Sequence, residues 1–187
     1  MVSLSEREVN AQLINACRQG DREAFRALYE AYKDQVYSIT YYFFRGDAAA
    51  AADATQQAFL KLFTQIGKYR GDAEFTTWLY RLVVNVCIGG SRRSWFRAKR
   101  ANPAVLDNLA GVESQESNLL KAHDAASVRD AVASLPPKLR LPVLLRYFED
   151  LSYGELAGAL NCSIGAVSSR LSRAHELLAK KLAWMKG

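Results

Sequence analysis

The sequence predicts an all-α protein of two small helical domains joined by a flexible linker, the C-terminal one containing a helix-turn-helix. Three observations predict it. Apolar residues recur at three- and four-residue spacing through most of the chain. That pattern degrades once, over residues 101–124. Two capped helices joined by a tight turn then close the chain, from Leu151 to Leu182.

Taken in order, the segment from Glu6 to Tyr32 alternates charged residues with Val9, Leu13, Ala16, Cys17, Phe25, Leu28 and Tyr29. Two helices interrupted near Gly20-Asp21 account for it. Val36, Tyr37, Ile39, Thr40, Tyr41, Phe43 and Phe44 continue an aromatic helix up to Gly46. Their helical spacing, with no convergent polar groups, makes them core rather than a cofactor box. The alanine run Ala48–Ala52 has high helix propensity and little to pack. It leads into exposed Asp53, Thr55, Gln56 and Gln57 and then into Phe59, Leu60, Leu62, Phe63 and Ile66, an apolar part expected to be buried. Asp53, Gln56, Gln57 and Lys61 are therefore open to a partner.

Gly67–Asp72 is a loop with a basic–aromatic–basic centre, Lys68-Tyr69-Arg70. Phe75, Trp78, Leu79, Leu82, Val83 and Val86 follow it as a core stripe, with Thr77, Arg81 and Asn85 on other faces. Gly89-Gly90 is expected to loosen or end this helix. Residues 91–100 then hold five basic side chains, Trp95 and Phe96, and no acid. Cations that track phosphates beside rings that stack on unpaired bases suit single-stranded nucleic acid. A solvated basic helix end reads equally well from this segment alone.

Asn102-Pro103, Asn108, Gly111 and a run of Glu, Ser, Gln and Asn mark an acidic linker, with a short helical turn at Val105–Leu109. Leu119, Leu120, Ala125, Val128 and Val132 restore the helical pattern, which stops at Leu135-Pro136-Pro137. Lys138–Phe148 starts another helix with Leu141, Leu144, Leu145 and Phe148 inward and Pro142 within its first turns. Ser152 and Glu155 have capping-box spacing, and Leu156 and Leu160 share a face. Asn161 and Cys162 break the pattern, and Ser163 caps the next helix. There Ile164, Val167, Leu171, Ala174, Leu178 and Leu182 form the inward face, and Ser168, Ser169, Ser172 and Arg173 point outward. Short hydroxyls and a guanidinium suit a major groove. An ordinary helical hairpin with a solvated face is the plainer alternative.

Charge supports a polyanionic partner. Residues 66–100 hold eight basic and two acidic side chains, and residues 135–187 hold eight and four. Residues 101–134, between them, hold two basic and five acidic. Two basic segments flanking an acidic connector suit a polyanion that touches both ends of the molecule. No apolar run reaches membrane-spanning length and no signal-peptide opening is present, so the expected location is the cytoplasm. Cys17, Cys87 and Cys162 have neither zinc nor disulfide spacing and read as buried, reduced thiols. His123 and His175 lack partners for a metal site, and no cofactor is expected.

Two stretches, RGDAEFTTWLYRLVVN (Arg70–Asn85) and LPPKLRLPVLLRYFEDLSYGELAGALNCSIGAVSSRLSRA (Leu135–Ala174), strongly resemble bacterial extracytoplasmic-function (ECF) sigma factors. The resemblance covers both halves in the expected order and implies domains at residues 1–100 and 125–187, with 101–124 as linker. It implies a non-enzymatic subunit of RNA polymerase, nucleoid-associated when bound to it. The partners so implied are the beta-prime clamp and beta flap of core polymerase, promoter DNA and an anti-sigma factor. Asp53, Gln56, Gln57, Phe59, Leu60 and Lys61 resemble the clamp-binding helix. Tyr69, Arg70, Gly71, Asp72, Arg81, Asn85, Arg92 and Arg93 correspond to minus-ten single-strand binding. Ser168, Ser169, Arg170, Ser172 and Arg173 resemble the minus-thirty-five reading positions. The family's D-A-E-D-x-T-Q-E cluster is altered, with Ala50, Ala52 and Gln57 at acidic positions.

Other functions remain to be weighed. A sigma-like decoy for an anti-sigma factor would suit the depleted acidic cluster but leaves the basic segments unexplained. A DNA-binding regulator acting without polymerase leaves the clamp-like helix unexplained. A nucleic-acid enzyme lacks any metal or nucleophile constellation.

Overall fold

A computed structural model describes the backbone of residues 4–101 and 121–183, and side chains over 11–92 and 125–183. The described residues form helices α1 (Leu4–Arg18), α2 (Arg22–Phe43), α3 (Ala48–Gln65), α4 (Phe75–Ala101), α5 (Lys121–Ser134), α6 (Pro137–Phe148), α7 (Tyr153–Leu160) and α8 (Ile164–Lys181). A single 3-10 turn, Ile66–Lys68, follows α3, and no strand occurs among the described residues. The helices fall into two regions, α1–α4 and α5–α8. Linker residues 102–120, including the expected turn at Val105–Leu109, lie outside the described residues, and α5 already begins at Lys121.

Caps set the helix starts. The Asp21 side chain accepts from the backbone N–H groups of Glu23 and Ala24, which starts α2, and Asp47 accepts from Ala50 to start α3. Between them Arg45 and Gly46 both take positive φ, 62° and 83°, to turn the chain back. The alanine run packs more than its composition suggests. Ala51, Ala54 and Ala58 are buried, in a helix that packs against both α2 and α4, because side chains this small let backbones approach closely. The wholly buried Thr40 hydroxyl donates to the Tyr37 carbonyl at 2.9 Å and lies 2.9 Å from the Thr55 hydroxyl, leaving neither threonine unpaired.

Gly89-Gly90 does not end α4, which runs through both to Ala101. A Cβ at Gly90 would come within 3.0 Å of the Phe44 ring, so the glycine provides room for that ring against the helix. Packing thus outweighs the intrinsic cost of glycine in a helix, about 1 kcal/mol. Phe75, Leu79, Leu82, Val83 and Val86 are buried as expected, and so are Thr77, Tyr80, Val84 and Cys87 on the flanks. Thr77 is covered by α7, whose Gly158 lies against its methyl, and Tyr80 reaches Glu149 at the end of α6.

In the second region Pro142 sits in the second turn of α6, within its first turns as expected. Phe148 is half exposed instead of inward; its ring leans on Tyr42 of α2, centroids 4.8 Å apart. The capping box of α7 forms in full. Ser152 N–H donates to Glu155 at 2.8 Å, and Glu155 N–H donates to the Ser152 hydroxyl at 3.3 Å. Asn161 closes α7 in the left-handed region at φ 49°, and Ser163 caps α8 through Ala166 N–H. Ile164, expected inward, is 56% exposed, because as the first residue of α8 it projects past the end of α7.

The cysteines divide. Cys17 and Cys87 are buried, and burial pushes the Cys87 thiol up to about 12. Cys162 lies in the turn between α7 and α8 and is only partly buried. Thiolate is the reactive form, so at pH 8 Cys87 is about one part in ten thousand reactive. Titration of the native protein with a thiol-reactive dye at pH 8 is expected to modify one thiol per chain quickly, Cys162, and all three after denaturation. Rapid modification of Cys87 would contradict its burial.

Candidate nucleic-acid and partner interfaces

The loop after α3 and the first turns of α4 form a cleft of about 190 Å³, lined by Lys68, Tyr69, Arg70, Asp72, Ala73, Trp78 and Arg81. The Tyr69 hydroxyl donates to the Ala73 carbonyl at 2.7 Å, and its ring lies 5.6 Å from Phe75 and 5.4 Å from Trp78. Burial raises the phenol's pKa, helped by the nearby charges of Glu74 and Asp72, so it stays a neutral donor. Gly71 has φ 82°, which a side chain would strain. The cleft therefore joins two aromatic faces to three cations and one carboxylate.

The structure brings Tyr69, Arg70, Asp72 and Arg81 together in that cleft, and Gly71 bends the loop that forms it. Asn85 is exposed one turn further along α4, and Arg92 is exposed beyond it. The Arg93 side chain lies outside the described residues. Lys68 and Trp78 also belong to the cleft; the sequence places Lys68 in the loop but outside the strand-binding set, and Trp78 in the core stripe.

A second concavity, apolar and about 390 Å³, lies between α2 and α3. Phe25, Tyr29, Tyr37, Phe59, Leu60 and Phe63 line it, with Ala52, Thr55 and Gln56. Leu60 is 58% exposed and Phe63 57%, against the expected burial, whereas Phe59, Leu62 and Ile66 of the same stretch are buried. Phe59 is the buried member, edge-on to Tyr29 at 4.7 Å, and supports the groove from behind. Asp53 and Gln56 are exposed, and Gln57 donates to Asp53 at 2.9 Å.

On α8, Ser168, Ser169, Ser172 and Arg173 are exposed along one face, while Val167, Leu171 and Ala174 are buried on the other. Arg170 is set apart: its guanidinium points back to the Cys162 sulfur at 3.5 Å. Among the described residues no group of His, Cys, Asp and Glu could hold a metal ion, and no helix is long and apolar enough to cross a membrane.

Family models match both regions: sigma-70 region 2 over residues 28–97 and sigma-70 region 4 over residues 125–178. The chain is 35% identical to the RNA polymerase sigma-H factor of Pseudomonas aeruginosa, an alignment covering 94% of each. It is 30% identical to the ECF RNA polymerase sigma-E factor of Haemophilus influenzae, over 96% of this chain and 98% of that one. The chain belongs to the extracytoplasmic-function sigma factors.

This sigma factor shares its fold with CnrH, solved in complex with the cytosolic domain of CnrY, at TM-score 0.66 and 21% identity over 91% of this chain and 95% of that one. It also shares it with RpoE from Bartonella quintana, solved with the anti-sigma factor NepR, at 0.68 and 19% over 85% and 96%. As a sigma factor the protein is a transcription initiation factor of a family that binds core RNA polymerase and promoter DNA. Its region 2 contains the cleft and most of the groove; its region 4 contains the helix-turn-helix.

Proposed function

We propose that this sigma factor holds core polymerase through the α2–α3 groove and opens its promoter by trapping an unpaired minus-ten base in the Tyr69 cleft. The α8 face then anchors the minus-thirty-five duplex. Residues 1–100 supply the first two tasks and 125–187 the third. The cleft carries the reading. Its two aromatic faces suit a flat heterocycle, and Lys68, Arg70 and Arg81 suit the phosphates on either side. Each stacked base stabilises the opened strand by roughly 1–3 kcal/mol, so binding the strand drives unpairing without chemistry. The protein on this reading is not an enzyme and works in the cytoplasm, at the nucleoid when bound to polymerase.

On α8 the serines and Arg173 supply donors and acceptors to base edges. Ile164, exposed at the start of the same helix, adds an apolar contact suited to a thymine methyl. Control by an anti-sigma factor belongs to the proposal: the family resemblance implies one, and the Bartonella relative was solved with one. The decoy reading draws on Ala50, Ala52 and Gln57, which leave Asp53 as the acid of the clamp-like helix.

Run-off transcription from genomic fragments with added core polymerase separates these readings. Specific starts are expected; polymerase binding without starts would favour the decoy. Tyr69→Ala and Asn85→Ala are expected to reduce permanganate reactivity of the unpaired minus-ten thymines by about tenfold or more. Binding of minus-thirty-five duplex should change less than about twofold, because region 4 makes that contact. A parallel fall in both would overturn the division of labour.

A further inference from the structure

Tyr147 and His175 join two helices in full view of solvent. The Tyr147 hydroxyl, in the last turn of α6, lies 2.9 Å from Nε2 of His175 on α8, and the two rings meet edge-on with centroids 6.0 Å apart. His175 is exposed, and among the described residues no large apolar or aromatic side chain is more exposed than Tyr147, at 65%. Water competes for both groups of an exposed hydrogen bond, so the link contributes little to folding. It also costs the rotamer freedom of two side chains, which points to another use.

Their place on α8 says what that use is. Ser168, Ser172 and His175 are spaced i, i+4 and i+7, which puts them in one exposed row along the helix. The row starts among the residues suited to base edges and runs toward the C-terminus. A recognition helix meets base edges through its N-terminal residues. The 18 residues of α8 make a straight rod roughly 27 Å long, which cannot stay within a groove about 12 Å wide that curves around the duplex. Its C-terminal half therefore passes the sugar–phosphate wall. His175, about 10 Å beyond Ser168 along the axis, is placed to meet that wall.

The chemistry of the pair suits a phosphate. An imidazole carries at least one N–H and a phenol one O–H. One of these hydrogens spans the link, so at least one is left to donate outward, and a phosphodiester oxygen accepts it. The nearest charges are engaged elsewhere. Arg146 donates to the Asp150 carboxylate at 3.0 Å and to the Leu151 carbonyl at 2.9 Å. The Glu176 carboxylate lies to one side of the row, 3.5 Å from the Ser172 hydroxyl.

We propose that Tyr147 and His175 together hold one backbone phosphate at the edge of the minus-thirty-five duplex. The contact sets the register in which Ser168, Ser172 and Arg173 meet the bases. A phosphate carries no sequence information of its own, but holding it fixes the position of the groups that read. The proposal rests on the reading of α8 as the duplex-reading helix.

Methylphosphonate scanning tests it with the full chain bound to core polymerase. The probe is the tightest-binding duplex that this complex selects from a random pool, remade with one phosphate at a time neutral. His175→Ala and Tyr147→Phe are expected to weaken binding about tenfold and about threefold. The deciding readout is coupling. With the unaltered protein, neutralising one phosphate at the edge of the element should cost about tenfold; with His175→Ala the same change should cost less than about twofold, while other phosphates keep their effect. A pair that only braces α6 against α8 would weaken binding to every probe alike, and that result overturns the proposal. His175→Arg sets a fixed cation against the phosphate and should steepen the fall of log affinity with log salt by about 0.9. An unchanged slope overturns the proposal as well.

Arg173→Ala separates the two ways to fail. If it weakens binding while the coupling is absent, α8 reads the duplex but the pair holds no phosphate. If it leaves binding unchanged, or if the complex selects nothing beyond what core polymerase selects alone, α8 is not the reading helix and the proposal falls with that reading.

Discussion

Arg140→Met will destabilise the folded chain by about 4 kcal/mol, the largest stability effect expected of a single substitution here. The guanidinium donates to the carbonyls of Val132, Ala133 and Leu135 at the end of α5 and of Phe43 at the end of α2. Methionine fills similar space but removes that donor; the Val132 carbonyl still accepts from Leu135 N–H, and each of the other three costs roughly 1–3 kcal/mol when it stays buried. Removing a buried ion pair whole can be neutral; removing a donor and keeping its acceptors is not. Burial, with the like charge of Arg45, pushes the Arg140 pKa down to about 10, which still leaves it charged at neutral pH. Arg140→Lys should recover less than half of the loss, because an ammonium cannot reproduce the planar fork. Urea unfolding of the three proteins measures this, and equal midpoints would refute it.

The largest binding effect is expected at the groove. Leu60→Asp with Phe63→Asp should weaken association with core polymerase by about 100-fold or more, because two charges would enter an apolar contact. Both side chains are more than half exposed, so helicity and unfolding should change little. Asp53→Ala should cost about tenfold or less, since an exposed carboxylate is screened. Gel filtration and fluorescence titration with core enzyme measure the three affinities. A larger loss from Asp53→Ala than from the double variant would show that charge, not apolar burial, holds the partner.

Most helices were legible because their caps and apolar spacing are local properties. Asp21, Asp47, Ser152 and Ser163 each begin a helix where the sequence places a cap or an interruption. The outward-facing serines on α8 follow from the same periodicity. The misreadings arose where a distant element decides the outcome. Gly89-Gly90 reads as a break until Phe44 is placed against Gly90. Thr77 reads as lying off the core stripe until α7 covers it. Leu60 and Phe63 read as core because periodicity identifies an apolar face without saying which molecule covers it. Arg140 carries a signal of its own: it stands within Leu139–Leu145, an otherwise uncharged run, and a charge there needs several partners.

The uninterrupted course of α4 through its two glycines makes it a ruler. A helix advances about 1.5 Å per residue, so Arg81 and Arg92 are fixed roughly 16 Å apart along its axis. Stacked nucleotides advance about 3.4 Å per strand, which makes that interval about five nucleotides. A broken helix would let the two arginines meet phosphates at any spacing. A continuous one fixes the interval, so on the proposed reading the length of strand held between them would be set by backbone geometry, whatever bases occupy it.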